Sequence, residues 1–491
     1  MPGAVAAMTV NGVNATTGSY LLPPMPVDEV ARLASDGGPT RRELAELRAR
    51  RHRDTQQFLG VREGVDPVDL SSAGWGVVFP VDCDPSVREA VGPLLDHRRG
   101  QAAATSERRY REFTGPDGLL PDESKGAFLA RHGVGPGPAD PDRMPYYLLL
   151  VGPPDAMPFS VQHLLDVQYA VGRLHFDDVD GYARYAEAVV SAEANPPRDP
   201  VSASGAFFAP RHADDQATAL SVDDLVAPLA AQLPLDLPDW SFRTEAGEDA
   251  SAATLAATLH GDDRPDLLVT ATHGLGFPVA DPRQRAEQGA LVCQDWPGPT
   301  AGAPITRDQY FARDDLDSAR SLSGLVAFHL ACFGAGTPQV DGFAPRTAAP
   351  AMLTTTPFVA GLVQAMLAHP GGPALAVIGH VDRAWGYSFS WPGAGSQTEV
   401  VRSLLRRICT GQPVGHAMEY VNQRYAELAS EVSELVDEAH QGRRIDDAAL
   451  AALWVARNDM RGYALLGDPA VHLRVRAPTA HVSPGAAVAR P

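Results

Sequence analysis

A histidine and a cysteine stand at the ends of two apolar runs in this 491-residue chain. Asp266 to Thr272 reads DLLVTAT and is followed by His273-Gly274; Leu325 to Ala331 reads LVAFHLA and is followed by Cys332-Phe333-Gly334. Near-continuous apolar runs of this length suit parallel strands covered on both faces. Open parallel sheets bind ligands at the carboxyl ends of their strands. Neighbouring strands, roughly 5 Å apart, would bring an imidazole and a thiol together as base and nucleophile. The thiolate is the attacking form, and a neighbouring imidazolium favours it. Gly274 has no side chain, so its N–H can come close to a substrate carbonyl; the Cys332 N–H would be a second donor. Losing one such oxyanion donor costs roughly 3–4 kcal/mol.

The spacing adds a resemblance. Cys332 lies 59 residues after His273 (332 − 273). Caspases place a histidine roughly 50 residues upstream of a Q-A-C-x-G segment. Ala331-Cys332-Phe333-Gly334 keeps A-C-x-G, but Leu330 stands where the glutamine would be. The pattern therefore resembles the wider group of caspase-fold (clan CD) cysteine peptidases more than caspases proper. Four further segments are similar to its gingipain-like and CHAT-type members. They are Pro145 to Phe159 (PYYLLLVGPPDAMPF), Asp166 to Arg173 (DVQYAVGR), Ile378 to Trp385 (IGHVDRAW) and Tyr463 to Pro469 (YALLGDP). Together they cover about residues 145–475.

The resemblance implies a cysteine endopeptidase that cuts a protein or peptide through a thioester acyl-enzyme. Cys332 would be the nucleophile, His273 the general base and acid, and the Gly274 and Cys332 N–H groups the oxyanion hole. It offers Asp166 as an acid that orients the histidine or binds a basic P1 side chain, and Trp385 as a wall of the substrate pocket. Asp382, on the same rim, is either a loop residue or a pocket carboxylate. Cleavage after arginine is the expected preference, although the turn reads Val151-Gly152-Pro153-Pro154 where the family has VGDP, so pocket identity does not carry over. Intracellular bacterial relatives clip a partner such as a gasdermin in defence or cell death. The rivals are a catalytically silent caspase-fold scaffold and a non-peptidase thiol hydrolase. Selective alkylation of Cys332 would speak against a scaffold.

Composition narrows the classes. The chain is 44% hydrophobic and 21% charged, with a formal net charge of −19. Phosphate repulsion without a basic stripe argues against nucleic acid. Four scattered cysteines (Cys83, Cys293, Cys332 and Cys409) form no C-x-x-C pair, so a zinc ribbon, a redox pair and a disulfide framework are not expected. His329 and Cys332, three apart on a strand, point to opposite faces and make a poor chelate. No metal or cofactor is expected. No apolar run approaches 18 residues, and the first residues show no basic stretch followed by an apolar core. The cytoplasm is the expected location.

The elements that must position the site read as an α/β chain. The expected architecture is a caspase-like, mainly parallel sheet flanked by helices, preceded by a smaller α/β subdomain. Residues 1–72 read as a partly disordered lead-in with a polar helix at 41–57. Residues 73–200 form the small subdomain, with strands near 76–80, 146–152 and 169–176 and a helix over 182–193. Residues 201–476 form the catalytic subdomain, with strands near 205–209, 240–244, 266–272, 325–331 and 374–379. Thr356-Pro357 reads as a helix start, with a cap residue and proline at the first helical position. Gly289 to Asp295 reads as a hairpin beside the site, and helices follow near 414–438 and 446–460. Residues 477–491 read as a disordered tail.

Overall fold

Ten strands, several of them buried at every position, pair edge to edge into a single sheet. The structure is a computed structural model describing residues 7–8, 11–22, 24–36, 60–195, 203–343, 350–391 and 394–475. The expected helix at 41–57, most of the 195–200 linker and the 477–491 tail lie outside the described residues.

The strands are β1 Trp75–Val78, β2 Tyr110–Phe113, β3 Tyr147–Val151, β4 Ala170–Leu174 and β5 Ser204–Ala209. They continue with β6 Ser241–Ala246, β7 Leu267–Ala271, β8 Val326–Leu330, β9 Ala376–His380 and β10 Tyr463–Gly467. Their order across the sheet is β2-β1-β3-β4-β10-β9-β8-β7-β5-β6. Every neighbouring pair is parallel except β9 and β10. The fold class is thus α/β, with a large, mostly parallel sheet flanked by helices. Strands β3, β4, β7, β8, β9 and β10 are buried at every residue. That explains their lack of polar alternation: both faces are covered. Each fully buried Leu, Val or Phe there contributes about 1.5–3 kcal/mol.

The small and large α/β regions are halves of this one sheet. Strand β10, from the end of the chain, joins them: it pairs antiparallel with β9 (His380↔Tyr463 through Ala376↔Gly467) and parallel with β4 at Leu466↔Arg173. Helix α1 (Val179–Ala194) crosses this junction. Its Tyr185 hydroxyl donates to Leu375 O and accepts from Asp468 N, both at 2.7 Å.

Two expectations need correcting. The helix expected from Thr356-Pro357 begins at Gly361 and ends at Leu367. Phe358–Val359 instead pairs antiparallel with Gly336–Thr337, just past the cysteine turn. The β-favouring pair Phe358-Val359 met an open edge there, and pairing prevailed over the proline signal. Residues 11–22 are no loose lead-in. Gly12–Asn14 runs parallel to Gly274–Gly276, in a small sheet completed by Leu291–Val292 and Tyr310–Phe311. The expected hairpin at 289–295 supplies one strand of that sheet.

Candidate active site

Three adjacent strands deliver three chemically distinct groups to one sheet edge. In the register, Ala271 faces Leu330, and Thr272 N–H donates to Leu330 O at 3.0 Å. Two residues further on, β7 releases His273 and β8 releases Cys332. On the other side of β7, β5 leads into Asp215, the N-cap of a short helix at Gln216–Leu220.

The backbone around Cys332 is tightly specified. A Cβ on Gly274 would lie 1.7 Å from Cys332 O and 2.7 Å from Cys332 N. Glycine is therefore required for this approach. Phe333 takes a left-handed φ of +59°, and its N–H donates to Asp382 O at 2.7 Å. A non-glycine residue in that region costs of order 1 kcal/mol or more and clusters at functional turns; here it turns the chain sharply after the cysteine. Cys332 Sγ accepts the Ala384 N–H at 3.2 Å and lies 3.7 Å from Ala384 O.

The Gly274 and Cys332 N–H groups converge on a single carbonyl, Asn11 O, at 3.5 and 3.3 Å. The Asn11 N–H donates to Ala384 O at 2.9 Å. The thiol is fully buried under this segment. Burial pushes the Cys332 thiol up, against a smaller downward pull from the Ala384 N–H and Arg383.

His273 is buried and bonds through Nε2 to Asp215 Oδ2 at 2.6 Å, which leaves Nδ1 without a hydrogen-bond partner among the described residues. Asp215 also accepts from Tyr20 Oη (2.6 Å), Thr218 Oγ1 (2.7 Å) and Ala217 N (3.1 Å). Burial would raise its carboxyl, but His273, His212 and Tyr20 bring it well below the usual carboxylate range. An ionised Asp215 fixes the tautomer with hydrogen on Nε2, so Nδ1 is the basic nitrogen. Among the described residues His212, Asp215 and His273 also have metal-ligand spacing, with ligand atoms within 4.8 Å of one another. A cation there would compete for the Nε2 and Oδ2 atoms already bonded together, and His212 Nε2 is itself bonded to Cys293 O at 3.0 Å.

The other sequence candidates divide. Asp382 and Trp385 belong to the turn whose Ala384 N–H reaches the thiol. Asp382 has φ +80°, its Oδ1 accepts the Arg383 N–H at 2.8 Å, and burial raises its carboxyl. It lines a cavity of about 190 Å³ with Arg383, His163 and Arg461. Trp385 is buried against Phe343, with ring centroids 5.0 Å apart, and its backbone N–H donates to Asp459 Oδ1 at 2.8 Å. Asp166 is not brought together with His273. It lies before β4, on the far side of β10, where Oδ1 accepts the Val171 N–H at 3.2 Å. Burial pushes its carboxyl well up, against the Val171 N–H, Lys125 and Arg173. The carboxylate at His273 is Asp215 instead. Its one sequence signal is its position just past the carboxyl end of β5, which matters only once β5 is known to neighbour β7. His329 is a core residue, bonded to Thr270 Oγ1 at 2.8 Å and pushed down by burial to about 4. A larger cavity of about 590 Å³, beside Arg184 and His369, contains none of these groups.

No protein-family model matches the chain, and no curated protein matches it by sequence. Among solved structures it is similar to the Arg-specific cysteine proteinase gingipain R, with 13% identity and TM-score 0.44 over 84% of this chain and 81% of that one. A structure described as a protease gives 13% identity and TM-score 0.43 over 83% and 80%. The complex of Porphyromonas gingivalis RgpB pro- and mature domains gives 11% and 0.41 over 83% and 81%. At these values the likenesses are distant, and the chemistry of the site rests on its own geometry.

Proposed function

We propose that the chain is a cysteine endopeptidase in which Cys332 attacks a peptide carbonyl and His273 moves the proton. The observation that carries this reading is the pair of backbone N–H groups, Gly274 and Cys332, aimed at one peptide carbonyl beside the thiol. Donors set where charge develops in the transition state are often the largest single contribution to acyl transfer. Nδ1 of His273 takes the thiol proton, the oxyanion forms between the two amides, and the same nitrogen protonates the leaving amine. Water then hydrolyses the thioester. Asp215 holds the imidazole in the basic tautomer. The substrate is a protein or peptide entering in extended form, as the Gly12–Asn14 strand does.

A silent scaffold remains as a second reading, favoured by the thiol's complete burial in this state. A positional peptide panel on wild type and Cys332→Ala separates the two. Turnover should fall at least about 1,000-fold in the variant. Equal turnover in the two proteins would refute the nucleophile.

A further inference from the structure

The segment ahead of the main fold crosses the thiol in the manner of a substrate. Its downstream part is built in. Val13 pairs with Tyr20 across a turn in which Thr16 N–H bonds Asn14 Oδ1 at 2.8 Å. Gly18 closes that turn at φ +67°, where a Cβ would lie 2.0 Å from Ala303 O. Val13 and Ala15 are buried in a cluster with Leu275, Phe277, Val292 and Trp296. Among the described residues, the backbone of Asn11 is bonded to groups of the site: its N–H donates to Ala384 O, and its carbonyl accepts from the Gly274 and Cys332 N–H groups. The residue is 3% exposed, and its Oδ1 and Nδ2 find no hydrogen-bond partner among the described residues. Gly12 lies so close that a Cβ there would be 2.6 Å from Cys332 Sγ. The bond beside the thiol is therefore Asn11–Gly12, with its acyl side on the oxyanion donors and its amine side in the small sheet.

We propose that Asn11–Gly12 is the site's own first substrate, cut in cis by Cys332, with Asn11 in the pocket that selects the residue before the cut. This rests on the peptidase reading and deepens it. Sγ bonds to the Asn11 carbonyl carbon while its proton passes to His273 Nδ1. The C–N bond breaks, and that proton goes to Gly12 N, which leaves as a new chain terminus. Water adds to the thioester, giving an Asn11 carboxylate and restoring the thiol. The cut separates Asn11 from Gly12; Ala7–Met8 keeps its pairing with Met25–Pro26 and Met8 its place in the core, while residues 12–22 stay packed and form a wall of the cleft. The residue before the cut is asparagine, whereas the gingipain resemblance leads one to expect arginine.

Intact mass and N-terminal sequencing of the full chain test this, with Cys332→Ala and Gly12→Val alongside and a peptide copying residues 7–16 as a substrate in trans. Wild type should begin at Gly12, and Cys332→Ala should keep the bond. Gly12→Val, whose Cβ would meet the sulfur, should slow the cut at least about tenfold. Equal cutting in Cys332→Ala would overturn the proposal, because the Asn-Gly bond would then be breaking by itself. An intact bond in wild type overturns it whatever else happens, and turnover of the positional peptide panel then decides whether the peptidase reading survives.

Discussion

Asp215 is the residue whose role depends most on its neighbours. Alone it is the cap of a five-residue helix; 2.6 Å from His273 Nε2 it decides which nitrogen is basic. Asp215→Asn keeps the shape but not the charge. We expect kcat to fall about 10- to 1,000-fold with KM within about twofold, and Asp215→Glu to recover part of the loss. A rise in KM at constant kcat would show that Asp215 serves binding instead. His273, Gly274 and Cys332 were legible in the sequence because each follows its strand directly, so a local pattern sets its place. Asp215 lies six residues beyond β5, and Asn11 over 250 residues from the strand it pairs beside, so no local pattern marks either.

At the scale of elements, the junction between β4 and β10 is the most informative. One register pair joins the strands, and a buried ion cluster ties the helices and turns around it. Arg98 bonds Asp468 at 2.6 Å and Glu193 at 2.7 Å, while Trp75 Nε1 donates to Asp468 at 2.9 Å. Burial would raise the Glu193 carboxyl, but Arg98, His97 and Gln101 bring it well below the usual range. Asp468 sits in the Gly-Asp-Pro turn after β10, a segment recognisable by pattern; its partners come from β1 and the helix Gly92–Ala102 and could not be read there. Arg98→Ala strands two buried carboxylates and should cost roughly 3–5 kcal/mol in urea unfolding. A loss below about 1 kcal/mol would mean that the cluster does not hold the halves together. The polar edge strand β2, with Arg111 and Glu112 partly exposed, also escaped the sequence pattern because half of it faces water.

For the molecule as a whole, closure of the site changes what the cysteines do. Cys293, Cys332 and Cys409 are buried and only Cys83 is partly exposed, so the selective labelling of Cys332 expected from sequence does not apply to the closed state. In a His273→Ala chain, which retains the Asn11–Gly12 bond, iodoacetamide should label Cys83 first and leave Cys332 protected, as read by peptide mass mapping. Labelling of Cys332 as fast as Cys83 would show that the segment does not cover the thiol. Among the described residues no helix is long and apolar enough to cross a membrane.

The sequence alone determined eight of the main sheet's ten strands (not β2 or β10), their α/β alternation and the two groups at the ends of β7 and β8, because buried parallel strands and the residues that follow them carry a local signal. The tertiary structure decided which carboxylate meets the imidazole, how two halves join through the last strand, and that Asn11–Gly12 lies across the thiol. Each of these is a pairing between distant residues, set by sheet order and register, and no window of sequence contains it.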